Sequence, residues 1–388
     1  MFRCARAIVQ VLASLGIGAA SWLSLPTAPE AQTAEVLKIP MMESFSGAAG
    51  AWGDDMFTGA VVAAEMINKA GGVKGRPIEF YKADAPYDDV PTAVTMFRKL
   101  ARDPNVPVIF DGGATTVIVA VNDFAEEFKA PLYAFSSGGA WRLPSFNPWV
   151  FRSLPMAEKA VPLMIAKAKA KFNIQKAALI YAHDDESEVA NSRVLRKIAQ
   201  DQGIQLIELT VKSKETDFSA PLTKIKSENV DAFLVSLQAF DGGLMMYQAR
   251  EMGMNQPVIG TVGISNKDYW KMAKGRVGVS ITYSPYNPND PRPLVQNFIK
   301  NYQEKYGKAP TTWAALTGDA AFVLAHVLNN AKDLTREDIR ASFATTKNLE
   351  TMGGVIGWDG SGDANREQVL VVMWQEEQLV PVPESFWK

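Results

Sequence analysis

The chain has 388 residues, 47% of them hydrophobic, enough for two domains that each bury a core. Its 40 basic and 42 acidic side chains leave a formal charge of −2, and without a basic stripe this balance argues against a nucleic-acid binder. No long charge run or low-complexity tract interrupts it.

The N-terminus reads as an export signal. Arg3 and Arg6 precede the apolar run "AIVQVLASLGIGAA", which is too short and too interrupted for a permanent spanning helix, so a membrane anchor is the lesser alternative. The polar, Pro-containing "TAPEAQTAE" suits a cleavage zone, with the cut after Ala20 or near Ala34. Residues 1–34 are therefore expected to be signal and cleavage zone. The only cysteine, Cys4, precedes the apolar run, the wrong place for a lipid-modified residue. A mature chain without thiols forms no disulfide and points to the bacterial envelope, so the expected location is the periplasm.

From Glu35 onward, short apolar runs alternate with amphipathic helices. "VLKIPMM" reads as a strand, and "FTGAVVAAEMINKAGG" as a helix that stops at Gly71-Gly72. "IEFYKAD", "VPVIFDGG" and "APLYAFSS" follow as strands, separated by the helical "DDVPTAVTMFRKLARD" and "VIVAVNDFAEEFK". This rhythm predicts a parallel sheet with helices on both faces. It restarts at "MAEKAVPLMIAKAKAKF" and "KAALIYAHD" and runs on through "GVSITYSP", so two α/β units stand in tandem. A Pro- and Asn-rich stretch leads into the helices "LVQNFIKNYQEKYG" and "AALTGDAAFVLAHVLNNA", and the tail reads as a hairpin.

Catalytic readings find no support. His183 and His326 have no metal-ligand spacing and no cysteine beside them. "YAFSSGG" lacks the first glycine of a nucleophile elbow, and no glycine-rich stretch forms a phosphate loop or a dinucleotide fingerprint. The chain is read as a non-enzyme, with no cofactor and no metal.

What remains are polar, small-residue turns at the carboxyl ends of strands, where open α/β sheets bind ligands. "GGATTV" offers the hydroxyls of Thr115 and Thr116 and the free N–H groups of a helix start to a carboxylate, with plain N-capping as the alternative. "SSGGAW" offers Ser136, Ser137, the bare backbone of Gly138 and Trp141. In "SFSGAAGAWGDD" a single tryptophan, Trp52, stands among small residues, either as a core plug or as a platform for a ligand.

These residues resemble the leucine/isoleucine/valine-binding family of periplasmic solute-binding proteins, which feed ABC importers. The likeness is carried by "SGAAGAWGDDMFTGAVVAAEMINKAGGVKGRPIEF", by "ADAPYDDVPTAVTMFRKLARDPNVPVIFDGGATT" and by "DFSAPLTKIKSENVDAFLV", in that order and with matched spacing. The resemblance implies the type I periplasmic binding protein fold: α/β, two doubly wound parallel-sheet lobes joined by a three-crossing hinge. Lobe one would be 35–155 plus 285–354, and lobe two 156–284 plus 355–388. It also implies a small-molecule ligand and a membrane permease as partners, with no nucleic acid and a monomer as the default. Trp52 would then face the cleft from the first βα turn.

The departures bear on the ligand. Where the family places an aromatic after the second lobe's first strand, this chain has Glu186; where it places an ammonium-binding glutamate, this chain has Val262; Ala140 replaces a threonine. Without that glutamate a buried ammonium would be unpaired, unless Asp185, Glu186 or Asp241 replaces it. The expected ligand is therefore a carboxylate-bearing solute with an apolar or aromatic body, packed by Trp52, Trp141, Phe45, Phe240 and Tyr283, with Gln238 nearby. Arg142 or Arg152 could meet an anionic group, although an aliphatic stem packed on the surface is the commoner fate of such an arginine. A branched-chain or other aliphatic amino acid and an amide or urea are the alternative ligands, and a ligand-sensing receptor module is the alternative class.

Overall fold

The computed structural model describes residues 35–388 apart from 114, 136–146, 156, 359, 361 and 367 and the side chain of residue 48. The expected signal and cleavage zone lies outside the described residues.

The first half builds a five-stranded parallel sheet in the order β2-β1-β3-β4-β5. Its strands and helices alternate as β1 (Leu37–Glu43), α1 (Gly50–Lys69), β2 (Ile78–Asp84), α2 (Val90–Arg102), β3 (Ile109–Asp111), α3 (Thr115–Glu127), β4 (Leu132–Ala134) and β5 (Val150–Arg152). Alternate side chains sort to opposite faces, as the two-residue period of a strand requires. Met41, Phe110 and Tyr133 join one apolar cluster, while Met42, Ile109 and Leu132 join another. Both faces are covered, so the strands are apolar throughout instead of alternating.

The sequence reading started α1 near Phe57, but the helix begins at Gly50. Missing Cβ atoms permit this early start. A Cβ on Gly53 would lie 2.0 Å from the Ser44 carbonyl oxygen, and one on Gly50 would lie 3.1 Å from that of Phe45. The Gly/Ala stretch thus lets the first turn of α1 sit on the end of β1. Trp52 accordingly stands on the first turn of α1 and not in the preceding loop.

The second sheet has seven strands in the order β14-β13-β10-β9-β8-β6-β7. It is laid down by α4 (Ala157–Phe172), β6 (Lys176–Ala182), α5 (Glu186–Asp201), β7 (Gln205–Val211), α6 (Ser219–Glu228) and β8 (Ala232–Ser236). It continues with α7 (Ala239–Glu251), β9 (Val258–Gly260), α8 (Lys267–Met272) and β10 (Ser280–Ser284). Phe233 and Val235 of β8 face one cluster, and Ala232 and Leu234 the other.

The chain then returns to the first sheet as α9 (Pro293–Tyr306), α10 (Thr312–Asn330), α11 (Arg336–Thr345) and the small hairpin β11 (Leu349–Thr351) and β12 (Gly354–Ile356). α1 and α10 lie so close that a Cβ on Gly59 would be 1.9 Å from the Ala314 carbonyl oxygen. The tail hairpin β13 (Leu370–Gln375) and β14 (Gln378–Pro381) adds antiparallel strands beside β10, and α12 (Glu384–Trp387) closes the chain. The path between the sheets is therefore crossed after β5, after β10 and after β12.

Buried polar groups tie these crossings. Arg366, next to β13, meets Asp319 of α10 at 2.9 Å and donates to the Ser153 carbonyl at 3.0 Å, with both charged side chains almost fully buried. Arg152 at the end of β5 pairs with Asp363, and its carbonyl accepts from the Trp358 indole at 2.8 Å. Arg152 is thus committed to the crossing and is absent from the residues lining the cleft, contrary to its suggested role as an anion receptor.

Candidate functional site

The residues that follow the strands of both sheets meet around one pocket. From the first sheet come Ala49 after β1, Tyr87 after β2 and Thr115 after β3, joined by Trp52 and, from α10, Trp313. From the second come Ser187, Glu188 and Asn191 after β6, Gln238 and Phe240 after β8, and Val262, Gly263, Asn266 and Asp268 after β9. A site at the carboxyl edge of each sheet is where open α/β folds bind ligands, because helix N-termini and loops converge there.

Three aromatic rings form one wall. Trp52 meets Trp313 edge-on at 5.6 Å and 89°, and meets Tyr87 at 6.2 Å and 84°. The indole Nε1 atoms of Trp52 and Trp313 are buried and have no hydrogen-bond partner among the described residues. Buried donors without partners are costly. A second, larger hollow of about 690 Å³ shares Trp52, Asn266, Asp268 and Trp313 with this pocket and opens beside α9 and the tail hairpin.

The opposite wall is acidic. Glu188, one turn into α5, is 1% exposed. Its carboxylate accepts from Ser236 Oγ at 2.7 Å and from Gln238 Nε2 at 2.9 Å. Asp185 caps the same helix through the Ser187 and Glu188 amides. Burial first, and then the neighbouring charge of Asp185, raise the Glu188 carboxyl well above the usual range, and burial raises Asp185 as well. Asp241 in the first turn of α7 accepts from the Lys214 amide and is pushed up to about 6, mainly by burial. Among the described residues that line the pocket there is no Lys, Arg or His.

The first sheet carries its own buried acids at strand ends. Asp111 accepts from the Gly113 amide at 2.7 Å and is raised to about 7 by burial. Glu43 accepts from the Ser44 amide at 2.8 Å, and burial, with the nearby charge of Asp111, raises it. No group of His, Cys, Asp and Glu among the described residues could hold a metal ion.

The candidates from sequence distribute unevenly around this pocket. Trp52, Thr115, Gln238, Phe240 and Val262 line it, and Asp185 lies behind Glu188, within 3.5 Å of the Gln238 amide. Thr116 does not line the pocket, nor does Phe45, which packs edge-on against Phe57 at 5.9 Å. Glu186 is exposed on the outer side of the same helix turn that buries Glu188. Tyr283 sits on β10 behind Val262, in a small separate hollow. Ser136, Ser137, Gly138, Trp141 and Arg142 lie outside the described residues. The sequence reading missed Glu188, Tyr87, Asn191 and Trp313. The signal available for Glu188 was its helical phase: it is one turn from the cap at Asp185, on the side of α5 that faces β8.

Away from the crossings, one ion pair among the described residues bridges the two halves. Lys214 after β7 reaches Asp88 after β2 at 2.9 Å, next to the pocket residue Tyr87.

Two α/β units, three crossings and a pocket at both carboxyl edges are the architecture of a substrate-binding protein. The family model described as "Periplasmic binding protein" matches residues 36–378, and the chain belongs to this family. It is similar to the leucine-, isoleucine-, valine-, threonine- and alanine-binding protein of Pseudomonas aeruginosa, 23% identical, over 89% of this chain and 91% of the relative. Leu/Ile/Val-binding protein homolog 7 of Brucella abortus is 22% identical over the same 89% of this chain and 91% of its own length. Among solved structures, the substrate binding protein LivJ of Streptococcus pneumoniae in complex with isoleucine matches at TM-score 0.80 and 22% identity, covering 90% of this chain and 99% of LivJ. A fatty acid ABC transporter substrate-binding protein from Thermomonospora curvata matches at TM-score 0.77 and 19% identity, covering 90% and 92%. At these identities the structures establish the fold. No helix among the described residues is long and apolar enough to cross a membrane.

Proposed function

We propose that this chain is the periplasmic solute-binding component of an ABC importer, and that it captures a small carboxylate-bearing organic solute between closing lobes. The lobes are taken as 35–155 with 285–354, and 156–284 with 355–388. The observation that carries this reading is the pocket itself, lined from both sheets by aromatic walls and a few buried polar groups. The start of α3 at Thr115 suits the carboxylate, and Trp52, Trp313, Tyr87 and Val262 suit an apolar body. Relatives named for branched-chain amino acids and a neighbour named for fatty acids both take carboxylates with apolar bodies. An aliphatic amino acid fits this pocket better than a simple aromatic acid, because the described lining is rich in acceptors and carries no cation. Ligand stabilises the closed form by binding it better than the open one, and the permease reads that form.

The test is a thermal-shift panel on mature protein that has been unfolded and refolded to remove any carried ligand. A solute at 100 times its Kd should add about 2.7 kcal/mol to stability. Trp52→Ala should weaken binding at least tenfold while leaving the unliganded protein folded, as expected for an aromatic anchor worth about 2 kcal/mol or more. Unchanged affinity in that variant would remove the ligand from the Trp52 wall.

A further inference from the structure

Resting on the reading of the cleft as a solute site, we propose that the larger hollow beside the inner pocket seats a distal tail of the solute. The solute is then a two-part molecule. Its head occupies the inner pocket, and an uncharged, apolar or aromatic tail lies between α8 and the tail hairpin on one side and the corner between α9 and α10 on the other. Size is the first argument. The inner pocket encloses about 100 Å³, whereas the hollow holds about 690 Å³. Sites for organic ligands commonly measure about 300–1,000 Å³, so the hollow has the capacity that the inner pocket lacks.

Continuity is the second. Trp52, Asn266, Asp268 and Trp313 line both spaces, which therefore adjoin along these four side chains. Tyr87, Glu188 and Gln238 line the inner pocket but not the hollow. Beside Tyr87, Lys214 and Asp88 bridge the two halves at 2.9 Å. A solute too long for the inner pocket thus finds its room on the Trp52 side.

The third argument is chemical. Charges along the hollow are matched within each wall. Lys267 pairs with Glu377 at 2.6 Å and Lys271 with Asp268 at 3.0 Å, both within the second half. In the first half Asp54 pairs with Lys82, and Asp55 accepts from the Thr311 hydroxyl. Of the charged lining residues only Lys308 has no such partner among the described residues, and it is exposed. What remains for a ligand is the apolar surface of Trp52, Trp313, Trp374, Ile299, Leu379 and Val380. Trp374 is fixed in place: it stacks on Tyr269 at 6.1 Å and donates its indole N–H to the Ile264 carbonyl at 2.9 Å. Among the described residues no ion pair or hydrogen bond spans the hollow from one wall to the other. An uncharged tail can therefore bury these faces without breaking a bond, whereas a charged one would compete with pairs already made.

The experiment varies tail length at constant head on refolded mature protein, with binding read by calorimetry and thermal shift. One series carries a plain carboxylate head: 3-phenylpropanoate, 5-phenylpentanoate and 8-phenyloctanoate. The other carries an amino acid head: norleucine, Nε-acetyllysine and Nε-benzoyllysine. Each buried methylene is worth roughly fourfold in affinity, so with partial burial the longest member of the series that binds should exceed the shortest by at least roughly 30-fold. Ala309→Trp and Gln378→Trp add bulk to the hollow from opposite walls at exposed positions that do not line the inner pocket. Each should cancel most of the gain of the longest member and leave the shortest within about twofold of its parent affinity, as expected for a site without shared partners. A longest member that binds no tighter than the shortest in either series, or a gain that survives both variants, overturns the tail seat and leaves the solute-binding reading intact. No binding by any member of either series overturns both.

Discussion

Asp111 makes the pH dependence of this fold open to measurement. Its carboxyl lies at the end of β3, fully buried, with one oxygen bonded to the Gly113 amide and the other without a partner among the described residues. Burial raises it from the ordinary 3.8 to about 7. A carboxyl raised on folding stabilises the folded state fully only below its unfolded value, and that stabilisation is lost as pH rises through the folded value. The whole interval is worth about 4 kcal/mol, and the part lost between pH 5 and pH 8 is about 2.5 kcal/mol. Asp111→Asn keeps an acceptor for the Gly113 amide and removes the titration. The variant should be less stable than the parent at pH 5, where the parent is a neutral acid and the new amide N–H₂ has no partner, a cost of about 1–3 kcal/mol. At pH 8 that gap should close or reverse. Glu43, Asp185, Glu188 and Asp241 are raised as well and act in the same direction, so the readout is the difference between the two pH profiles. Urea titrations followed by circular dichroism from pH 5 to 8 supply it. Parallel profiles would refute an acid held neutral at this position.

Two further perturbations probe the scaffold. Gly59→Ala drives a methyl group into the Ala314 carbonyl oxygen, so α1 and α10 must separate; a loss of about 2–4 kcal/mol in urea titrations is expected, and a loss below 0.5 kcal/mol would show that the close approach is not needed. Arg366→Met leaves Asp319 buried opposite an apolar side chain at the crossings and should cost about 3–5 kcal/mol, whereas Arg366→Met combined with Asp319→Leu should recover much of it. A double variant no more stable than the single one would place the cost in lost packing and not in the orphaned charge.

Much of the architecture can be read in the sequence because it is written in local patterns. Buried parallel strands must be apolar on both faces, and amphipathic helices must separate them, so "VPVIFDGG" and "DAFLVSLQ" declare themselves whatever surrounds them. The same holds for the placement of Thr115, Gln238 and Val262 just past strand ends, since that edge is where such folds open. β5 was not anticipated, because its three residues lie in a Pro- and Asn-rich stretch and gain their identity only by pairing with β4. The early start of α1 was missed for a related reason: the glycines look like a loop until the carbonyls of Ser44 and Phe45 are in place beneath them.

Side-chain partnership is what only the tertiary structure decided. Sequence alone nominated Glu186 from its position in a turn, yet helical phase turns Glu186 to solvent and brings Glu188 against Ser236 and Gln238, about fifty residues away along the chain. Arg152 looked available for an anion until Asp363, from a different crossing, was seen to hold it. Trp313 joins Trp52 only because α10 returns to the first sheet after the second is complete. Periodicity within a segment fixes what is buried, whereas which buried groups meet depends on long-range chain closure that no local pattern encodes.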